Sequence, residues 1–259
     1  MIKKVRLIAR LDIKAPNLIK GINLEGVRVV GDPHEFAKRY FQQGIDEILY
    51  MDSVATLYGR NNLTELVSKT ANDIFVPMTV GGGLRSLADV DNVMRAGADK
   101  VSINSAAIRR PELLREVAMR YGSQAMVLSV EAKRRGDHWE AYIDNGREKT
   151  GLDAIAWIKQ AVDMGAGEVL VTAVDKEGMR KGFDVELMQK ITAAVDVPVI
   201  ASGGMGCLQD AADVILNGGA DAVAMAHVLH FNNIALADLR GFLGERQIEV
   251  TNHGDTTSV

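Results

Sequence analysis

The chain of 259 residues is 47% hydrophobic and 25% charged, with a formal net charge of -4 and a pI near 5.8, the composition of a soluble globular protein able to bury a full core. Its Lys and Arg residues are dispersed rather than gathered into runs, which excludes nucleic acid as a partner, and no apolar stretch is long enough to span a bilayer. The opening MIKKVRLIARLD meets charge too soon for a secretory signal, so a cytoplasmic address is expected, and the lone Cys207 excludes an internal disulfide and has no assigned role.

In chain order, short β-rich apolar runs alternate with amphipathic stretches of helical period, the pattern of βαβ units around a parallel sheet. Strands are predicted at Val5–Leu11, Glu47–Met51, Val76–Val80 and Lys100–Ile103, then at Ala125–Val130, Glu168–Thr172, Val197–Ala201 and Ala222–Met225. Between them, helices are predicted at Pro33–Gln43, Leu87–Ala96, Pro111–Tyr121, Leu152–Met164, Asp184–Ala194 and Leu208–Asn217. Eight alternations in this length predict one α/β domain, a (β/α)8 TIM barrel over residues 1–250, followed by a disordered tail at 251–259. A doubly wound sheet is the rival, but the dinucleotide fingerprint often found after its first strand is missing.

The sequence also repeats. VPMTVGGGL from Val76 returns as VPVIASGGM from Val197, 121 positions on, and Gly44 with Glu47 returns as Gly165 with Glu168. GADKVSINSA from Gly97 resembles GADAVAMAHV from Gly219, so the barrel reads as two four-unit half barrels. Asp12 and Glu131 close the first and fifth strands, 119 apart, which makes them pseudo-equivalent across the barrel mouth.

Glycines after the third strand (Gly81, Gly82 and Gly83) and after the seventh (Gly203 and Gly204) free backbone N–H groups to turn toward an anion at the C-terminal face. Turns at Asn104–Ser105 and around His227 add donors and helix N-termini. Two such half-sites facing one mouth fit a long substrate with a phosphate at each end.

The motifs VGGGLRS, RAGADKVSINSAA, YGSQ, AKRRGDHWE, TGLDAIAWIK and PVIASGG resemble the cyclase subunit of imidazole glycerol phosphate synthase, from about residue 3 to 250. The resemblance implies a lyase that takes ammonia from a glutaminase subunit through the barrel axis. It implies a bis-phosphorylated substrate, the phosphoribulosyl-formimino aminoimidazole carboxamide ribonucleotide, converted to imidazole glycerol phosphate and the carboxamide ribonucleotide, with no cofactor and no metal. Asp12 and Glu131 match its paired acid/base carboxylates, Glu131 standing for an aspartate, with Asp52 and Asp175 as supporting carboxylates. Lys20 matches a lysine of its mobile first loop, and Gly82, Gly83, Asn104, Ser105, Thr172, Glu177, Gly178, Gly203, Gly204 and His227 match substrate and phosphate positions.

Alternation along the strands puts Arg6, Ile8, Arg10 and Asp12 on one face. If Asp12 faces the lumen, then Arg6, Glu47, Lys100 and Glu168 form a ring of alternating charge at the barrel bottom, the family's ammonia gate; salt bridges that merely seal a barrel are the plain alternative. Asp99 and Gln124 match positions near the glutaminase contact surface. Departures cluster around the substrate: Arg10 replaces a small residue, Glu177 and Met179 an aspartate and a threonine, and His227 a serine. The pattern suggests a retained ammonia supply and an acceptor open to change.

His34, His138, His230 and His253 have no metal-like spacing, and Trp139 and Tyr142 are expected to close a hairpin after the fifth strand. Three functions fit: the synthase cyclase; a paralogue supplying ammonia, with a glutaminase, to a sugar amidotransferase that makes acetamidino sugars of surface polysaccharide; and a partnerless phosphoribosyl isomerase, which would leave the charge ring without a purpose.

Overall fold

The computed structural model describes residues 4–53 and 63–251. It begins with β1 (Arg6–Lys14), an antiparallel hairpin of β2 (Asn17–Ile22) and β3 (Glu25–Gly31), then α1 (Pro33–Gln42), β4 (Glu47–Asp52), α2 (Thr64–Asp73), β5 (Met78–Gly81), α3 (Leu87–Arg95) and β6 (Lys100–Ile103). After α4 (Ser105–Arg109) and α5 (Glu112–Tyr121), the second half runs β7 (Met126–Arg135), the hairpin strands β8 (His138–Ile143) and β9 (Glu148–Asp153), α6 (Ala154–Asp163) and β10 (Glu168–Ala173). It ends with α7 (Val185–Thr192), β11 (Val199–Ser202), α8 (Leu208–Leu216), β12 (Ala222–Met225), α9 (His227–His230) and α10 (Leu236–Glu245).

Eight parallel strands close in the order β10-β11-β12-β1-β4-β5-β6-β7, with β7 returning to β10, so the fold is a (β/α)8 barrel. Period-2 alternation divides its apolar residues into two layers. Leu7, Leu11, Ile48, Val101 and Val169 face the helices, whereas Ile8, Leu49, Val127, Leu170, Ile200 and Ala222 fill the lumen. The half-barrel repeat is kept in the register. Ile8 lies opposite Glu47 and Asp12 opposite Met51, just as Val127 lies opposite Glu168 and Glu131 opposite Thr172.

Element boundaries follow local chemistry. The third and seventh barrel strands begin at Met78 and Val199, not at Val76 and Val197, directly after Pro77 and Pro198, which have no N–H to give a ladder. The fourth predicted helix starts at Ala154 because Asp153 caps it, accepting from the Ile155 and Ala156 N–H groups at 3.0 and 2.9 Å. Ser86 and Asp89 form a capping box on α3, and 121 positions later Asp210 accepts from the Cys207 N–H at 2.9 Å, so the exposed cysteine occupies a helix cap. The hairpin after the fifth strand is present, with Trp139 and Tyr142 buried in β8. The first loop, which carries Lys20, is the hairpin β2–β3. Of the tail expected to be disordered, only Thr251 is among the described residues, and His253 lies outside them.

Candidate active site

The C-terminal ends of the barrel strands carry the polar residues. Asp12 and Glu131 sit on β1 and β7, half a turn apart in the strand order, and both are 6% exposed. Between them lies Arg10, which the Ile8–Arg10–Asp12 alternation turns into the lumen. Its Nε donates to Asp12 Oδ1 at 2.9 Å, and its Nη1 donates to Thr172 Oγ1 at 2.7 Å and to Ser202 Oγ at 3.1 Å. The guanidinium therefore covers the mouth at the ends of β10–β11–β12–β1, and the free space of the mouth lies beside it at the ends of β4–β7.

The two carboxyls are pushed in opposite directions. Burial raises Asp12, but the Arg10 guanidinium and the Lys20 ammonium outweigh it and hold the carboxyl below its ordinary range. Glu131 is raised to about 7 because burial dominates; the N–H of Gly146, 2.7 Å from Oε2, and the more distant Arg10 only partly offset it. Paired carboxyls with separated affinities for the proton can act as base and acid near neutrality.

Two cavities border Arg10 at this end, apart from one of about 720 Å³ between Ile13, Pro16, Pro33, Leu63 and Thr64, which reaches neither carboxyl. The larger of the two, about 210 Å³, is bordered by Gly82, Gly83, Arg85, Ser102, Asn104, Ser105, Arg109, Arg110 and Glu131. Ser102 Oγ and Asn104 Oδ1 are buried without a hydrogen-bond partner among the described residues, so the cavity has polar atoms unused by the fold. The smaller, about 20 Å³, is bordered by Lys20, Glu177, Gly178, Ser202, Gly203, Gly204 and His227. Gly82 and Gly204 have φ of 88° and 118°, and an added Cβ would lie 2.2 Å from the Asp52 carbonyl oxygen or 2.1 Å from that of Gly182, which restricts both turns to glycine. Asp52 borders the larger cavity, whereas Asp175 accepts from the Arg134 N–H at 2.7 Å and borders neither.

The β2–β3 hairpin closes over the smaller cavity. Buried Lys20 pairs with Glu177, and Glu177 Oε2 also accepts from the Leu24 N–H at 3.0 Å. His227 stands half-buried on the wall, its proton affinity lowered by burial and by Arg180 and Lys20. Met179 is partly exposed and lines neither cavity.

At the opposite end, the four ring residues meet. Arg6 reaches Glu47 at 2.6 Å and Glu168 at 2.5 Å; Lys100 reaches Glu168 at 2.8 Å and Glu47 at 3.5 Å. Asp99 and Gln124 are exposed on the same face. The Asp99 carboxylate accepts from the Met78 N–H at 2.7 Å, as Asp46 and Asp221 accept from the Leu7 and Val199 N–H groups, so it also fastens neighbouring strands.

The larger cavity includes Ser102, Arg85, Arg109 and Arg110, which motif reading left out. Ser102 was legible by alternation, two residues beyond Lys100 on the inward face; the arginines lie on loops and a short helix where no period applies. Among the described residues no cluster of His, Cys, Asp or Glu could hold a metal ion, and no helix is long and apolar enough to cross a membrane.

A half-barrel-repeat (β/α)8 protein with two facing mouth cavities and an opposed carboxyl pair is the class these features define. Residues 6–235 match the family model described as histidine biosynthesis protein, and the chain belongs to that family. A Legionella pneumophila protein named imidazole glycerol phosphate synthase subunit HisF is 58% identical over 80% of this chain and 98% of its own length. Proteins of the same name from Myxococcus xanthus and Prochlorococcus marinus are 46% and 42% identical, each over 95% of this chain and 97% of its own length.

Proposed function

We propose that this chain is the cyclase subunit of an imidazole glycerol phosphate synthase. It uses ammonia to convert the phosphoribulosyl-formimino carboxamide ribonucleotide to imidazole glycerol phosphate and aminoimidazole carboxamide ribonucleotide. The observation that carries the reading is the opposed pair Asp12 and Glu131 at the barrel mouth, one carboxyl held ionised and the other held protonated up to about pH 7. The names of its relatives agree.

Addition of ammonia to a carbonyl, closure of a ring and expulsion of an amine require proton removal from nitrogen and proton delivery to the departing groups. Asp12 is the base and Glu131 the acid at the start of the cycle. The larger cavity, with the Gly82–Gly83 turn, Asn104 and Ser105, takes one phosphate. The Gly203–Gly204 turn with Gly178 and His227 takes the other once the β2–β3 hairpin lifts, because the closed cavity of about 20 Å³ holds little more than a water. Thr172 keeps Arg10 in place.

Ammonia enters from a glutaminase docked on the bottom face through Asp99 and Gln124, passes the ring of Arg6, Glu47, Lys100 and Glu168, and crosses the apolar lumen layer of Leu49 and Val127 to the larger cavity. The reading places the protein in the cytoplasm and needs neither cofactor nor metal. Complementation tests it: the gene should restore growth without histidine to a strain lacking its cyclase subunit, and Asp12→Asn should not. Failure of the intact gene, with the protein soluble and abundant, would count against the proposal.

A further inference from the structure

Arg10 is the one described residue that borders both mouth cavities. Three of its five N–H groups are spent: Nε on Asp12, and the two of Nη1 on Thr172 and Ser202. Nη2 makes no hydrogen bond among the described residues and is not walled off from solvent, so a guanidinium fixed from three sides keeps two donors for something else. A buried cation held this rigidly has little rotamer freedom left to lose on binding.

We propose that Arg10 is a substrate ligand and a specificity determinant of this barrel. Its Nη2 donates to a carbonyl or carboxylate oxygen at the midpoint of a bis-phosphorylated molecule whose phosphates occupy the two cavities. The inference rests on the cyclase reading for the identity of that molecule, and deepens it by naming what reads the linker between the phosphates.

Position supports the assignment. A ligand that spans the mouth from the Gly82 turn to the Gly204 turn passes the guanidinium, since Arg10 forms the wall common to both cavities. Chemistry then selects the linker. An acceptor oxygen completes the fork, whereas an apolar or cationic linker would bury N–H donors without a partner. The Asp12 bond adds a second consequence: an oxygen drawn to Nη2 is placed beside the carboxylate assigned as base.

Equilibrium binding without ammonium, where no turnover competes, tests this with two probes, the phosphoribulosyl-formimino carboxamide ribonucleotide and orthophosphate. In Arg10→Met the ribonucleotide should bind roughly 10–100-fold more weakly, the effect of losing a charged hydrogen bond. Orthophosphate affinity should fall by distinctly less than ribonucleotide affinity, because an anion in either half-site loses only a neighbouring charge and no hydrogen bond. Arg10→Lys, which keeps the charge beside Asp12 but loses the fork, should fall between wild type and Arg10→Met. Unchanged or tighter ribonucleotide binding in Arg10→Met would overturn the inference, as would a parallel fall in orthophosphate affinity in both variants. Wild-type binding that depends on Arg10, without cyclisation when ammonium is added, would overturn the cyclase reading alone. Cyclisation by wild type with Arg10→Met binding normally would overturn only the role of Arg10. A wild type that binds no ribonucleotide would overturn both.

Discussion

Replacing Glu131 by Gln should make the protein both slower and more stable. The carboxyl is 6% exposed, and burial moves its proton affinity from an ordinary 4.5 to about 7. The folded state then holds a proton that the unfolded chain releases, so stability falls as pH rises from about 4.5 to about 7 and is level above. The difference is worth about 3 kcal/mol at pH 8. Gln offers an oxygen to the Gly146 N–H and carries no charge, so it escapes this penalty. The variant should melt about 6–12 °C above wild type at pH 8 and converge with it near pH 4.5. Its ammonium-dependent rate should fall by about 10²–10⁴-fold, the contribution of a general acid. Calorimetry across pH with steady-state rates on the same samples checks both. A stability difference that does not vary between pH 5 and 8 would refute the argument that burial sets the protonation of Glu131.

Asp12→Asn should abolish ammonium-dependent cyclisation with the circular dichroism spectrum unchanged, and a rate above about a tenth of wild type would remove the assigned role. Lys100→Ala leaves Glu47 and Glu168 held by Arg6 alone; with a glutaminase bound, it should uncouple glutamine hydrolysis from ammonia use more than it lowers the ammonium-dependent rate, and equal losses in both assays would argue against a gate. Glu177→Ala strands a buried Lys20 and should destabilise the hairpin by about 3–5 kcal/mol. Hydrogen exchange should rise across Asn17–Gly31, and unchanged protection there would mean that the pair does not hold the hairpin shut.

Periodicity carried most of the barrel into view, because parallel strands buried on both faces leave long apolar runs and the half-barrel repeat doubles each signal. The alternation from Arg6 to Asp12 placed Arg10 in the lumen, and the strand starts placed the four ring residues together. The β2–β3 hairpin was not legible as structure. Its outward residues Ile22, Val27 and Val29 are exposed and apolar, so it lacks an alternating amphipathic pattern, and it is fixed by Glu177, more than 150 residues away. The role of Cys207 became clear only in three dimensions, where it shares the cap position of Ser86. Nor could the sequence show that Arg10 bonds Thr172 and Ser202, since those contacts depend on β10 and β11 lying on one side of a closed barrel.

The most direct measurement is the reaction of the purified chain with an ammonium salt and the phosphoribulosyl-formimino carboxamide ribonucleotide, followed by NMR. The account predicts imidazole glycerol phosphate and aminoimidazole carboxamide ribonucleotide appearing in equal amounts, at a rate proportional to the protein and absent in Asp12→Asn. Ribonucleotide that stays intact with saturating ammonium and folded wild-type protein would contradict it.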